Sequence, residues 1–528
     1  MPAHGSSDAP RLPGVLESLR RRFTRSSAWR VLTETVVAMI ALAVLGAVLG
    51  PQWDPVPLNS SLRTTTSSTA ISGAPSLPEY EVRETMVTVR LDGATVQGRI
   101  SEPVDAPPDR PAVVFVHGAG TDTYANAFRA QARALAAAGV VALVPEKRLD
   151  TYTTAHRDYV KMAADYARSV QTLRTWPGVD PDRVGVYAES EGGWIAPVMA
   201  ATDPRLAFVV LVSPPVVPPR EQAAFAADSY LRNTGVPAGV FRAIPRAVGL
   251  SIPGAFEYVD FDVSSFQQRM RQPVLVAYGT DDASMPLVQG PEQIISDVAK
   301  VGNHQVTVRY YADANHGLKV DDQVVEEFLV DLPGWVLGLP QTAMTRPHVA
   351  GAQPEQHFRA DPVPTPRWLR DGTAVLVWVG SSAAALIAAV ALGMAGRGLR
   401  ALRRRRAPDV PAPEGISRSV SRPLTWCALG SVATVAVLVW YLVAVARLAL
   451  DYERDPLVVT GGWLAVRVIG LLAVLAGVIA LRALVPHGDR VVRPVTGVLP
   501  RSAVALAGLG CVGLLVAAAY WGVFQLGI

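Results

Sequence analysis

Apolar positions along this chain follow two patterns. In the first they form long runs: Val31 to Gly50 near the start, then 373–396, 424–448, 457–481 and 502–526 near the end. In the second, over 82–338, short apolar runs alternate with stretches of helical spacing. A hydrocarbon core of about 30 Å takes about 20 helical residues to cross. Each long run therefore predicts a membrane-spanning helix, one before the mixed region and four after it. Residues 1–30 form a basic polar lead, and 31–50 reads as a transmembrane helix or signal anchor. A cleaved signal peptide is the competing reading. The lead is long for a signal, however, and Pro51 at the first mature position is a poor cleavage context.

Within 82–338 the pattern predicts an α/β domain. Met86 to Leu91 and Ala94 to Ile100 alternate about Asp92-Gly93, a hairpin signal. Continuous apolar strands are expected at 112–116, 140–144, 184–187, 208–212, 274–278 and 305–311. Helices are expected at 125–138, 159–175, 192–201, 291–300 and 321–335. Apolar strands alternating with helices imply a mostly parallel sheet covered on both faces. Residues 215–270 break the alternation and read as a lid insertion. Residues 51–81 and 339–372, rich in Ser, Thr or Pro, read as linkers.

Composition supports a soluble part joined to a lipid-embedded part. Charged residues are 18% of the chain, below the ~25% of soluble domains. The net charge is only +4, and Arg clusters flank apolar runs, so they read as topology signals and not as a nucleic-acid surface. Arg20–Arg22, Arg397 to Arg406, and Arg482 to Arg501 fall on one side if there are five spans. The loop with Asp451, Glu453 and Asp455 falls on the other. That arrangement places the N-terminus inside, and 51–372 outside a cytoplasmic membrane. Glu34, Arg447 and Arg467 lie within the runs and read as snorkelling or loop-paired charges, with an intramembrane functional role as the alternative. Both cysteines, Cys427 and Cys511, lie in apolar runs, so no disulfide framework is implied.

The chemistry concentrates in Ala188-Glu189-Ser190-Glu191-Gly192-Gly193, between a strand and a helix. A tight strand-to-helix turn needs small residues two before and two after its apex, and Ala188 and Gly192 satisfy this. A lone serine there would read as a helix N-cap. Three further strings fall in order. His117-Gly118-Ala119-Gly120 ends an earlier strand, where a backbone N–H, with that of Glu191, would hold an oxyanion. Asp281 and Asp282 follow a later strand, and Asp313 is a third candidate acid. Asn315-His316-Gly317 follows the last strand. The order Ser, Asp, His is that of a nucleophile elbow with its base and orienting acid. His117 reads as structural. Glu189 and Glu191 read as solvated.

These strings are similar to those of the α/β-hydrolase superfamily. The chain most resembles bacterial carboxylesterases with a G-H-S-E-G-G elbow. The resemblance rests on 111–120, 188–197, 278–286 and 314–317, and covers about half the chain. It implies Ser190 as nucleophile, Asp282 as acid, His316 as base, and the Ala119 and Glu191 N–H groups as oxyanion donors, with Gly118 nearby. Asp282 is preferred over Asp281 because the acid of the family stands three after the glycine, here Gly279, and four before the proline, here Pro286. Ala188 and Glu189 depart from the family string, which leaves fold and nucleophile standing and alters substrate preference.

The expected function is a membrane-anchored serine esterase acting on a small-molecule or lipid ester, with no cofactor and no metal. An acyltransferase serving envelope lipid or sugar is the alternative. A peptidase lacks the expected gating domain, and a non-catalytic membrane module leaves the ordered triad unexplained.

Overall fold

A computed structural model describes residues 25–60, 62–119, 123–406, 415–450, 453–485 and 494–525. Most of the basic lead, Gly120, Asp451, Arg490 and Arg493 lie outside the described residues. The chain divides into two compact units.

One unit, Trp53–Asn233 with Ala247–Pro364, carries the sheet. Its strands are β1 (Val82–Arg90), β2 (Thr95–Pro103), β3 (Arg110–Val116), β4 (Val141–Pro145), β5 (Val179–Glu189), β6 (Val209–Val212), β7 (Val274–Gly279) and β8 (Val306–Tyr311). A small hairpin, β9 (Lys319–Val320) and β10 (Gln323–Val324), stands apart. β11 (Val349–Gly351) completes the main sheet. The order is β1-β2-β4-β3-β5-β6-β7-β8-β11, antiparallel from β1 to β4 and parallel from there on.

Alternation along each strand builds a core on both faces. On β3, Ala112, Val114 and Val116 join one cluster with Tyr159, Tyr166 and Leu173 of α3 (Tyr159–Arg174) and Ile195 of α4 (Gly192–Thr202). Val113 and Phe115 join the other, with Leu135 of α2 (Arg129–Ala137) and Trp335 of α7 (Glu326–Leu337). All these residues are buried. Two covered faces explain why β3 is continuously apolar. α5 (Pro219–Asn233) opens the insertion after β6, and α6 (Gln289–Ala299) follows β7.

Most of the two stretches read as linkers, 53–81 and 339–364, belongs to this unit. Ile71 is buried in a core cluster, and the buried Arg309 donates to the Thr69 carbonyl at 2.7 Å. β11, within the second stretch, pairs with β8. Three residues are too short for a periodic signal, which is why the pattern missed this strand.

The second unit holds Met1–Gln52, Thr234–Arg246 and Thr365–Ile528. Five of its helices are long and apolar enough to cross a membrane. They are α1 (Arg25–Leu49), α8 (Gly372–Arg406), α9 (Arg418–Leu450), α10 (Trp463–Leu484) and α11 (Val498–Tyr520). Each contains its expected run or most of it: polar flanks lengthen α1, α8 and α9, a π-helical segment over Leu457–Gly462 precedes α10, and a turn over 521–524 ends α11. α9 packs on α10, α8 on α11, and α1 on both α10 and α11. Small residues permit the contacts: a Cβ on Gly430 would lie 2.8 Å from Ala473, and one on Gly510 2.7 Å from the Ser382 carbonyl. Arg467 donates to the Gln525 carbonyl at 2.7 Å, and Arg482 faces Glu34 at 3.5 Å.

The expected lid is thus divided. Its middle, Thr234–Arg246, groups with the helices. Gly239 lies against Trp463, and the Arg246 guanidinium sits over the Tyr520 ring at 4.8 Å.

Candidate active site

Ser190 stands at the turn between β5 and α4 with φ of 53°. A non-glycine residue there is strained and persists only when its surroundings impose it. The Ser190 N–H donates to the Val212 carbonyl at 2.9 Å, and the Gly193 N–H to the Ser190 carbonyl at 2.7 Å. A Cβ on Gly192 would lie 2.8 Å from the Val116 carbonyl, so only glycine fits beside β3. The turn puts the serine hydroxyl at the N-terminus of α4, where the helix dipole favours negative charge.

His316 and Asp282 come from the loops after β8 and β7. His316 Nδ1 lies 2.8 Å from Asp282 Oδ2. The Ser284 hydroxyl and N–H donate to the other carboxylate oxygen at 2.6 and 3.1 Å. Burial alone would raise the Asp282 carboxyl, but His316 and these donors hold it below its ordinary value. Burial opposes a charged imidazole, yet Asp282, and then Glu189, leave His316 above its ordinary value near 6.5. Of the other candidate acids, Asp281 donates its N–H to the Ala314 carbonyl, and the Asp313 N–H donates to Thr280. Those bonds knit the two loops together.

Gly279 completes that knit. A Cβ there would lie 2.1 Å from the Ala314 carbonyl oxygen and 2.6 Å from that of Asn315. Both precede His316 in one backbone, which cannot yield cheaply. Gly279→Ala is expected to cost about 1–3 kcal/mol of stability, the range for overpacking. Denaturant titration would check it; a change within error would show that the loops part freely.

The expectation that Glu191 is solvated is corrected. Its side chain is buried, at 1% exposure, and ion-paired with Lys147 at 2.9 Å and Arg157 at 2.5 Å. Tyr152 donates to it at 3.0 Å. α3 and the loop after β4 close over the elbow, and a carboxylate so enclosed needs paired cations. Burial pulls the Lys147 ammonium below its ordinary value, and Glu191 restores only part. Lys147 also donates to the Gly118 carbonyl. That carbonyl shares a planar trans peptide with the Ala119 N–H, so the two point opposite ways. One buried cluster therefore fixes the Gly118–Ala119 peptide and the side chain of Glu191.

A cavity of about 350 Å³ brings these parts together. His117, Gly118, Ala119, Glu189, Ser190 and His316 line it, as do Arg129, Gln131 and Lys319. Glu189 is half-buried and accepts from Tyr187 at 3.3 Å. His117 lies with Nε2 2.6 Å from the Pro145 carbonyl, consistent with a structural role. The pattern missed Lys147, Arg157, Tyr152 and Ser284. Lys147 had two signals: it is one of four lysines in the chain, and it follows a strand's C-terminal end, where sites of α/β sheets gather.

No protein-family profile and no curated protein matches the chain. Many solved structures do. Est1E from Butyrivibrio proteoclasticus is 16% identical, with TM-score 0.35, over 49% of this chain and 98% of its own. Acetyl xylan esterase 1 from Thermoanaerobacterium is 18% identical, with TM-score 0.33, over 57% and 93%. Dipeptidyl peptidase 4 from Porphyromonas gingivalis is 15% identical, with TM-score 0.35, over 49% and 35%.

Proposed function

We propose that this protein is a membrane-anchored serine hydrolase that cleaves carboxylic esters, with its sheet-bearing unit outside a cytoplasmic membrane. The observation that carries the reading is Ser190 at positive φ at the head of α4, lining one cavity with a His316 whose far nitrogen is held by Asp282. Ser190 Oγ attacks the ester carbonyl carbon, and its proton passes to His316. The oxyanion is held by the Ala119 and Glu191 N–H groups. The C–O bond breaks, and the alcohol leaves with the proton from His316. Water then attacks the acyl-enzyme, loses its proton to His316, and frees the acid and Ser190. Asp282 orients the imidazole and stabilises its charge. An alcohol in place of that water gives acyl transfer by the same steps.

The small cavity and its polar lining favour a short acyl group. Hydrolysis of p-nitrophenyl esters from acetyl to palmitoyl is the test. Turnover highest at acetyl or butyryl is expected; a palmitoyl optimum would overturn the short-chain reading. No turnover on any ester would overturn the esterase reading.

The pH dependence follows from His316. The base acts when neutral, so kcat/KM should fall as pH drops through its raised pKa, with the midpoint above ~6.5. Glu189→Gln removes a charge that supports the imidazolium, so the midpoint should move to lower pH. A midpoint unmoved by the substitution would show that Glu189 does not act on His316.

A further inference from the structure

α1 is pinned at its two ends and hollow between them. Near its end, a Cβ on Gly46 would lie 2.1 Å from the Ala519 carbonyl, so α1 and α11 touch backbone to backbone. Near its start, Glu34 faces Arg482 of α10 at 3.5 Å. Between these pins lies a cavity of about 700 Å³ among α1, α9, α10 and α11. Small residues carve it: Ala38 and Ala41 on α1, Gly477 and Ala480 on α10, Ala505 and Gly508 on α11. A Cβ on Gly508 would meet nothing within 4 Å. Leu481, Leu509 and Val512, also at its edge, are 63%, 67% and 58% exposed, so the cavity opens sideways where hydrocarbon would lie.

Protein interiors do not leave such a space empty, and its apolar lining gives water nothing to bind. Its size is that of ligand pockets, ~300–1,000 Å³. At the Glu34 end, next to the lining residue Leu481, Arg482 holds Glu34 through Nη1 by the 3.5 Å ion pair alone, and that buried atom makes no hydrogen bond among the described residues. An apolar sleeve beside a guanidinium with one unfilled hydrogen-bond donor matches a chain with an anionic head.

We propose that this cleft binds a membrane phospholipid, with one acyl chain between α1 and α9–α11 and its phosphate at Arg482. The lipid completes the packing of α1 on α10 and α11 between Glu34 and Gly46. The site shares no residue with that of Ser190 and does not depend on the esterase reading.

The test uses the full-length protein in vesicles of phosphatidylethanolamine and phosphatidylglycerol. It is extracted into mild detergent, washed, and weighed by native mass spectrometry. The wild type is expected to retain about one phospholipid per chain. Gly508→Phe puts a ring into the cleft from a position where a Cβ meets nothing within 4 Å, and should lower retention by about tenfold, ~1.4 kcal/mol. Gly393→Phe is the control, because a Cβ on Gly393 of α8 also meets nothing within 4 Å; its retention should equal the wild type's. In lipid-free detergent Gly508→Phe should melt higher than the wild type, since its ring supplies the missing contacts. No retained lipid in the wild type, or equal retention in both variants, would overturn the proposal. Arg482→Gln should release lipid faster; an unchanged release rate would overturn the phosphate assignment alone.

Discussion

Replacing Ser190 by alanine is expected to lower kcat for ester hydrolysis by about 10⁴–10⁶-fold while leaving the fold intact. The size follows from the chemistry. Without Oγ no acyl-enzyme forms, and only binding and the oxyanion donors remain. The fold survives because alanine at a strained φ costs no more than serine does. Steady-state assays and thermal melts on the same samples separate the effects. Activity within tenfold of wild type would place the nucleophile elsewhere.

The second large effect is expected behind the elbow. Lys147→Met removes the ammonium that holds the Gly118 carbonyl and balances Glu191. The Ala119 N–H then loses its fixed aim. One lost oxyanion donor costs about 10²–10³ in kcat, and KM should hardly move because the donor acts on developing charge. Glu191→Ala should hurt stability more than rate. It leaves Lys147 and Arg157 buried without their carboxylate, and breaking a buried pair costs about 3–5 kcal/mol. Glu191→Gln keeps the shape and the bond to Tyr152, so its loss should be smaller. Wild-type kcat in Lys147→Met would show that the cluster only packs.

Much of this was legible in the sequence because local patterns carried it. Strand–helix alternation gave the parallel core, and long apolar runs gave the spanning-length helices. Ser190, Asp282 and His316 stood out because each sits where a strand ends. What the pattern could not show was pairing between distant segments. Glu191 looked like a surface carboxylate because its partners, Lys147 and Arg157, lie in another loop. β11 is too short for a period. The split of the lid depends on Gly239 meeting Trp463, across more than two hundred residues, and no local signal encodes that contact. Ser284 supports Asp282 through bonds that need the folded loop.

The central claim is that Ser190 is a nucleophile activated by His316. Its most direct test is intact-mass analysis of the full-length protein after exposure to a fluorophosphonate, with peptide mapping of the adduct. The account predicts one adduct per chain, on Ser190, absent in Ser190→Ala and formed at least ~10³-fold more slowly in His316→Ala. No adduct on folded wild-type protein, or an adduct that persists in Ser190→Ala, would contradict it.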